Sequence, residues 1–548
     1  MSTIETHASS APASSGALAC VAEWVGTTDH KRLGRLYLGA AGLSLLVVGV
    51  IAALLGLERV SPTREMLEVG SLTQLFAIER FGLTYLVLLP ALVGLAVGVV
   101  PLQVGARSLA LPRLATAGFW TWSVGSVLAV WALVNNGGPG GGNPRFVDMF
   151  QLALVPVVGG LLATVVSVFT SILTTRAPGM NMRRLPYFTW SVLVSSLALV
   201  IALPIFLGNV LILFVAHRYP STSVFAGNRA ISDWAGFGFT QPTTVLMALP
   251  VLGLLADAAA TASGRRLRPR GVLFTGIGLA GLGVLSAALQ QNPPVLGEQV
   301  LRGDLASFVE QAVPFALVHG LPLLGVLVAV GLTAKHLAAR PKVQAPVVFA
   351  LLAGLLLLLG TAGNLVNHVV DLDLIGSTFE EGTWLAVVLA GVLAAMGGVT
   401  YWGPKWWGRR LPMLPSLGLA LVTFGGAALA SLPLMVAGFA DQPGAVFPYI
   451  EPGTQVSPVN FDYSGPLELW NVLSTVGLVL VVVATLAFVA LALKSFTSGE
   501  SAGDDPWDGQ TLEWATTSPA PADNFAAVHV VSSAEPLLDL KPSTRSDA

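Results

Sequence analysis

Charge is what this chain has least of. Only 11% of its 548 residues are Asp, Glu, Lys or Arg, against roughly 25% in an average soluble domain, while 54% are hydrophobic and the mean hydropathy is +0.75. That balance excludes an ordinary soluble globular protein and reads as a polytopic membrane protein. The net charge of −2 is uninformative taken whole, because in such a protein the distribution of Lys and Arg between loops matters and the sum does not; nucleic acid is not an expected partner. Cysteine is nearly missing. The single Cys20 lies in a polar segment, so neither a disulfide framework nor a cysteine-based metal or iron-sulfur site can be built from this chain alone. Residues 1–24 are rich in Ser, Ala and Thr, without a basic stretch leading into an apolar one. They read as a disordered N-terminal tail with no cleavable signal.

Long apolar runs, by contrast, are abundant. Stretches of about 20 residues, the length needed to cross a bilayer, lie near 33–56, 82–104, 116–135, 150–174, 187–215, 240–262, 271–290, 311–333, 345–368, 384–402, 412–437 and 467–494. Basic residues collect before the first run (Lys31, Arg32, Arg35) and after the even-numbered ones, as in Arg183 and Arg184 or Arg265, Arg266, Arg268 and Arg270. By the positive-inside rule these loops face the cytoplasm and both termini are inside. The expected architecture is all-α, with a twelve-helix membrane domain over 25–495 and a polar cytoplasmic tail over 496–548. The tail segment GDDPWDGQTLEWATTSPAP, Gly503 to Pro521, reads as extended chain, loosely docked by aromatic anchors. The cell membrane is the expected location.

Several motifs are long enough to identify a family. TTDHKRLGRLYL (Thr27 to Leu38), VVPLQVGARSLALPRL (Val99 to Leu114), TTRAPGMNMRRLPYFTWSVLV (Thr174 to Val194), QPTTVLMALP from Gln241 and TYWGPKWWGRRL (Thr400 to Leu411) precede the GDDPW/TLEW tail in collinear order. Together they make the chain resemble subunit I of the haem-copper oxidases, the catalytic subunit of cytochrome c oxidase, from about Trp24 to Phe525. The resemblance implies twelve helices around three pores, a low-spin haem, and a high-spin haem facing a copper ion, all held by six histidines, since imidazole nitrogen suits both haem iron and copper.

Those histidines are missing at the matching positions. The low-spin haem pattern Gln-Leu-Phe-x-x-His reads QLFAIE and ends in Glu79; the two haem ligands of the tenth run correspond to Gly382 and Trp384. The copper ligand before Pro242 corresponds to Gln241, and the adjacent pair after the seventh run to Gln290 and Gln291. The proton paths implied by the resemblance differ too: the tyrosine and glutamate positions hold Val245 and Thr243, the entrance aspartate Ser108, and the lysine position falls near Glu310. Proton delivery needs titratable groups in line, and these substitutions remove them. Of the seven histidines, His319 matches a family histidine that binds no metal and His368 lies near the outer end of the ninth run. No two have ligand spacing along the chain.

The substitutions lead to further expectations. Gln241, Gln290, Gln291 and Asn292 can pair amide to amide as a neutral plug at the copper position. Glu79, Arg80, Glu380 and Glu381 suggest an ion pair or small network on the outer side. A vacated haem pocket of roughly 300 to 1,000 Å³ would cost on the order of 7 to 24 kcal/mol if left empty, at about 24 cal/mol per Å³. The space should therefore be filled by Trp384, Phe76, Phe81 and Phe379, by closer helices, or by a lipid or quinone tail. The expected function is a subunit I-like membrane component without bound haem or copper, assembled with other membrane subunits of oxidase type. A haem- and copper-bearing terminal oxidase, and a binder or transporter of a small apolar molecule, are the alternatives.

Overall fold

The computed structural model describes residues 22–60, 66–67, 69–139, 141–219, 236, 238–289, 295–297, 305–339, 341–444, 466–527 and 530–540. Twelve helices among them are long and apolar enough to cross a membrane. They are α1 (His30–Val60), α2 (Ser71–Gln103), α3 (Pro112–Val134), α4 (Pro144–Thr174), α5 (Tyr187–Arg218), α6 (Thr243–Ser263), α7 (Arg270–Ala287), α8 (Val309–Leu337), α9 (Ala345–Asn367), α10 (Thr378–Trp407), α11 (Met413–Gly438) and α12 (Leu467–Ser498). Hydropathy placed all twelve but started three of them late. The helix begins about eleven residues before the expected start of the second run and six before those of the fourth and tenth. The added turns carry Gln74, Glu79, Glu380 and Glu381, polar residues that lower the hydropathy of a window without lowering helix propensity.

Most consecutive helices pack as antiparallel neighbours, α7 packs mainly on α5 and α8, and α1 also closes against α12. Burial separates the helices into two classes. The apolar windows of α2 and α6 are wholly buried and that of α10 is 89% buried, whereas α1 and α12 bury only a third of theirs. The three central helices carry or adjoin four of the six positions matched to metal ligands, Glu79, Gln241, Gly382 and Trp384. Small residues allow the close crossings, because without a hydrophobic drive between helices in lipid, contact depends on backbone approach. A methyl group on Gly34 of α1 would stand 2.7 Å from the Gly94 carbonyl oxygen of α2.

Two helices loosen into a π-turn, α2 over Gly82–Leu88 and α8 over Ala316–Gly320. Each turn is followed two residues later by a proline, Pro90 and Pro322. Proline has no N–H to offer the carbonyl four residues back, so the ladder shifts register there.

All the loops after even-numbered helices lie at one end. Ala177 N–H bonds to the Val104 carbonyl, Lys342 N–H to Ala262, and Ala502 N–H to Gly408, where a short antiparallel pairing joins Arg409–Arg410 to Glu500–Ser501. The tail departs from the loose docking expected for it. Residues 499–527 and 530–540 form a strap across this end, with Trp507, Leu512, Glu513, Trp514, Asn524 and Val531 buried. Lys405 Nζ donates to the carbonyls of Asp504 (2.7 Å) and Thr516 (2.6 Å). Lys31 Nζ donates to Pro521 (3.0 Å), Ala522 (3.3 Å) and the Asn524 side chain (3.0 Å), whose own amide donates to Ala106. Gly105 and Gly408, at φ +73° and +78°, lie directly beneath Leu512 and Pro519, where a methyl group would stand 2.7 Å from the strap. Arg270 pairs with Glu535 and Arg266 with Asp539, so the basic loops meet an acidic strap. Two fixed ammonium groups capturing carbonyls explain the docking. Residues 1–21 of the expected disordered tail lie outside the described residues; 22–25 form a helical turn.

Candidate functional site

The first cluster lies where α1, α2, α10 and α12 meet. Arg59, in the last turn of α1, forms a fork with Glu381 of α10: Nη1 to Oε1 at 2.7 Å and Nη2 to Oε2 at 2.5 Å, with Nη2 also donating to the Gly444 carbonyl at 2.8 Å. Both residues are buried. Asn471 of α12 donates to the Arg59 carbonyl and accepts from Gln442, tying α12 into the cluster. Glu79 of α2 faces the same point and is buried. Arg80, one residue on, turns about 100° away along the helix and lays its guanidinium over the Trp384 ring, 4.1 Å from the centroid. The expected network therefore exists with a different pairing. Adjacent residues on a helix do not face one another, so Glu79 and Arg80 serve separate contacts. Glu381 takes Arg59, and Glu380 accepts from the Gly376 N–H outside. Arg59 was missed in the sequence, although a guanidinium ending an apolar run was the available signal.

Glu79, Arg59 and Glu381 line, with Asn471, Ser474 and six apolar or glycine neighbours, a cavity of about 10 Å³. That is about one water molecule's space. The predicted fillers divide. Trp384 carries Arg80, and Phe76 lies 5.4 Å from the Arg59 guanidinium. Phe81 instead packs on Tyr85 and Phe150, and Phe379 on Phe439 at the end opposite the strap. Gly382 faces α11, where a methyl group would stand 2.6 Å from the Ser431 carbonyl oxygen.

The second position is the start of α6. Gln241 is 6% exposed, and neither its amide nitrogen nor its oxygen has a hydrogen-bond partner among the described residues. Gln290, Gln291 and Asn292, its expected partners, lie outside the described residues. The hydroxyls of Thr244 and Thr84 and the indole nitrogen of Trp384 are likewise buried and unpaired among those residues. Beside them Tyr85 donates to the Gly238 carbonyl at 2.7 Å, its ring stacked on Phe206 and edge-on to Phe239. Thr243 and Val245 are buried on α6, whereas Ser108 and Glu310 are exposed, so the four residues at the proton-path positions are dispersed.

Two further groupings were invisible along the chain. His319 and His368, 49 positions apart, stack with ring centroids 4.2 Å apart and planes 22° from parallel. Asn364 joins them, its side-chain amide at 3.0 Å from His319 Nδ1 and its carbonyl accepting from His368 Nδ1 at 2.7 Å. Parallel rings do not aim their nitrogens at a common ion, and no group of three or more His, Cys, Asp or Glu able to hold a metal occurs among the described residues. Burial lowers the His368 pKa.

At the strap end, Gln103 Nε2 donates to both Asp257 Oδ2 and Glu513 Oε1, each at 3.0 Å. Asp257 also accepts the backbone N–H groups of Tyr187 and Phe188 at the start of α5. Trp402 donates to Glu513 Oε1, while Glu513 Oε2 has no partner among the described residues. Burial raises the Glu513 pKa. Asp257, a carboxylate within an apolar run, was a signal the sequence offered.

The family profile for cytochrome c and quinol oxidase polypeptide I matches residues 32–480. The chain belongs to this family. Cytochrome c oxidase subunit 1 of Bacillus subtilis (strain 168) is 26% identical, aligned over 94% of this chain and 82% of its own. A putative cytochrome c oxidase subunit 1-beta of Streptomyces avermitilis is also 26% identical, covering 95% and 92%. The haem-copper oxidase subunit I+III of Aeropyrum pernix is 27% identical, over 94% of this chain and 63% of its own. A solved haem-copper terminal oxidase dimer shares the fold at a TM-score of 0.59 and 15% identity, covering 85% of this chain and 84% of that one. Polypeptide I members are haem-copper proteins, so the residues present can be tested against that group. At the first cluster they do not fit a haem. No imidazole lines the cavity, two carboxylates and a guanidinium occupy it, and its volume is about 10 Å³.

Proposed function

We propose that this subunit I-like membrane protein is catalytically silent and serves as a structural or regulatory component of a respiratory-type complex in the cell membrane. It assembles there with other membrane subunits of oxidase type. The Arg59–Glu381 fork beside Glu79 carries the reading, because a buried, mutually neutralising ion pair stands between α1 and α10 where a low-spin haem would need two imidazoles and a wide slot. Gln241 at the copper position supports it: an amide is polar and binds copper poorly beside imidazole. On this reading Glu79, Gly382 and Trp384 are vacated haem-ligand positions and Gln241, Gln290 and Gln291 vacated copper-ligand positions. The basic loop end, with both termini, faces the cytoplasm. A pyridine-haemochrome spectrum and copper analysis of purified protein test the proposal; both metals are expected to be absent, and stoichiometric haem would overturn it.

The second reading is a terminal oxidase reducing oxygen with haem and copper, favoured by full-length similarity to cytochrome c oxidase subunits 1. The same spectrum separates the two. A third, a binder of an apolar molecule such as a lipid or quinone in vacated space, draws on an apolar cavity of about 80 Å³ between α1, α2, α10 and α12.

A further inference from the structure

We infer that this apolar cavity is a lateral slot that takes one acyl chain of a membrane phospholipid; the inference rests on the haem-free reading only in leaving the slot available to lipid. Its walls come from four helices, and the small residues Ala41, Gly42, Ala91 and Ala395 line it together with larger apolar side chains such as Met396 and Phe488. The slot opens because α1 and α12 diverge. A methyl group on Gly56 or Gly49 would stand 2.6 Å from Thr475 or Val482 of α12, so the helices touch at the charged-cluster end. At Gly42 the nearest atom, in Val489, is 3.8 Å away, and at Gly39 nothing lies within 4 Å. The gap reaches the molecule's centre: Ala395 and Val399 are partly accessible on α10, a helix otherwise almost wholly buried.

Three observations name the occupant. The mouth is flanked by Leu43 and Leu486, at 66% and 57% exposure, which belong to the faces of α1 and α12 turned toward the bilayer, so lipid chains are what surround it. Thr485 is the one polar lining residue, and its hydroxyl already donates to the Val481 carbonyl at 2.7 Å. No group is left to hold a quinone ring or a polar headgroup, and water gains nothing in such a space. A saturated hydrocarbon tail needs no partner, and its headgroup can remain at the strap-side interface.

The test uses the full chain in nanodiscs containing a phospholipid with a diazirine near the middle of one acyl chain. After irradiation, adducts are mapped by peptide mass spectrometry. Adducts are expected on the Ala395–Val399 segment as well as on the exposed faces of α1 and α12. Gly42→Phe, which has room to place its ring in the mouth, is expected to abolish the α10 adducts and spare the exposed faces; Val127→Phe, on the exposed face of α3 and outside the slot lining, is the control and leaves both. Excess isoprenoid quinone is expected not to compete. Absence of α10 adducts in the wild type, their persistence in Gly42→Phe, or their displacement by quinone overturns the inference. Thermal unfolding of Gly42→Phe within the wild-type range shows that the loss is local. The haemochrome spectrum is read separately, so haem in the protein refutes the silent reading whatever the labelling gives.

Discussion

Removing the guanidinium of Arg59 is the sharpest test of the charged cluster. Its fork on Glu381 uses contacts of 2.5 and 2.7 Å, and a third bond goes to the Gly444 carbonyl. Unit charges about 4 Å apart at an effective dielectric of about 20 attract by about 4 kcal/mol. Breaking one side of a buried pair costs about 3 to 5 kcal/mol, because the remaining charge stays desolvated. Arg59→Met also leaves Glu79 and Glu381 facing one cavity of about 10 Å³ without the cation between them. The expected loss is therefore about 3 to 5 kcal/mol, read as unfolding free energy in mixed detergent–SDS micelles. The double variant Arg59→Met/Glu381→Met removes both charges and puts apolar side chains in their place. Buried pairs exchanged for apolar residues are neutral or gain about 1 to 4 kcal/mol, so the double variant is expected to recover most of the loss. A single-variant cost below about 1 kcal/mol, the range of exposed pairs, would refute the burial argument. A double variant as unstable as the sum of the singles would refute the pairing.

Lys405→Met withdraws the donor from the Asp504 and Thr516 carbonyls, worth about 1.5 to 3 kcal/mol for each charged hydrogen bond. Faster proteolytic cleavage within 499–540 is expected while the membrane helices stay resistant; unchanged cleavage would show that the lysine does not hold the strap. Glu513 supplies a pH dependence. Its pKa is raised by burial, so the folded state holds the proton more tightly than the unfolded chain. Docking is then fully supported below the ordinary carboxylate pKa and weakens as pH rises through the raised value. Strap cleavage should accelerate with increasing pH, and Glu513→Gln should flatten that profile; acceleration on acidification would contradict the sign.

The positions of all twelve helices were legible because a bilayer-length apolar run is a local property of the chain, and hydropathy reads it without neighbours. Family membership was legible too, since the motifs around His30, Gln103, Asn181 and Trp402 survive as contiguous strings. What those motifs do was not. Lys31, Gln103, Trp402 and Lys405 meet the strap across sequence gaps of about one hundred to nearly five hundred residues, and nothing in the tail's polar composition announces two ammonium clamps.

The candidate site divides in the same way. The sequence by itself determined which residue types stand at the ligand positions, and therefore that Glu79, Trp384 and Gln241 offer carboxylate, indole and amide in place of imidazole. Tertiary structure decided their partners. Helical geometry turns Arg80 away from Glu79 and onto Trp384, and the end of α1 brings Arg59 to Glu381 across 322 positions. It also stacks His319 on His368, a pair no spacing rule could find. A charged side chain buried in a membrane bundle must be paired or hydrogen-bonded. Which partner satisfies that demand depends on helix packing, and packing is a property of the folded chain alone.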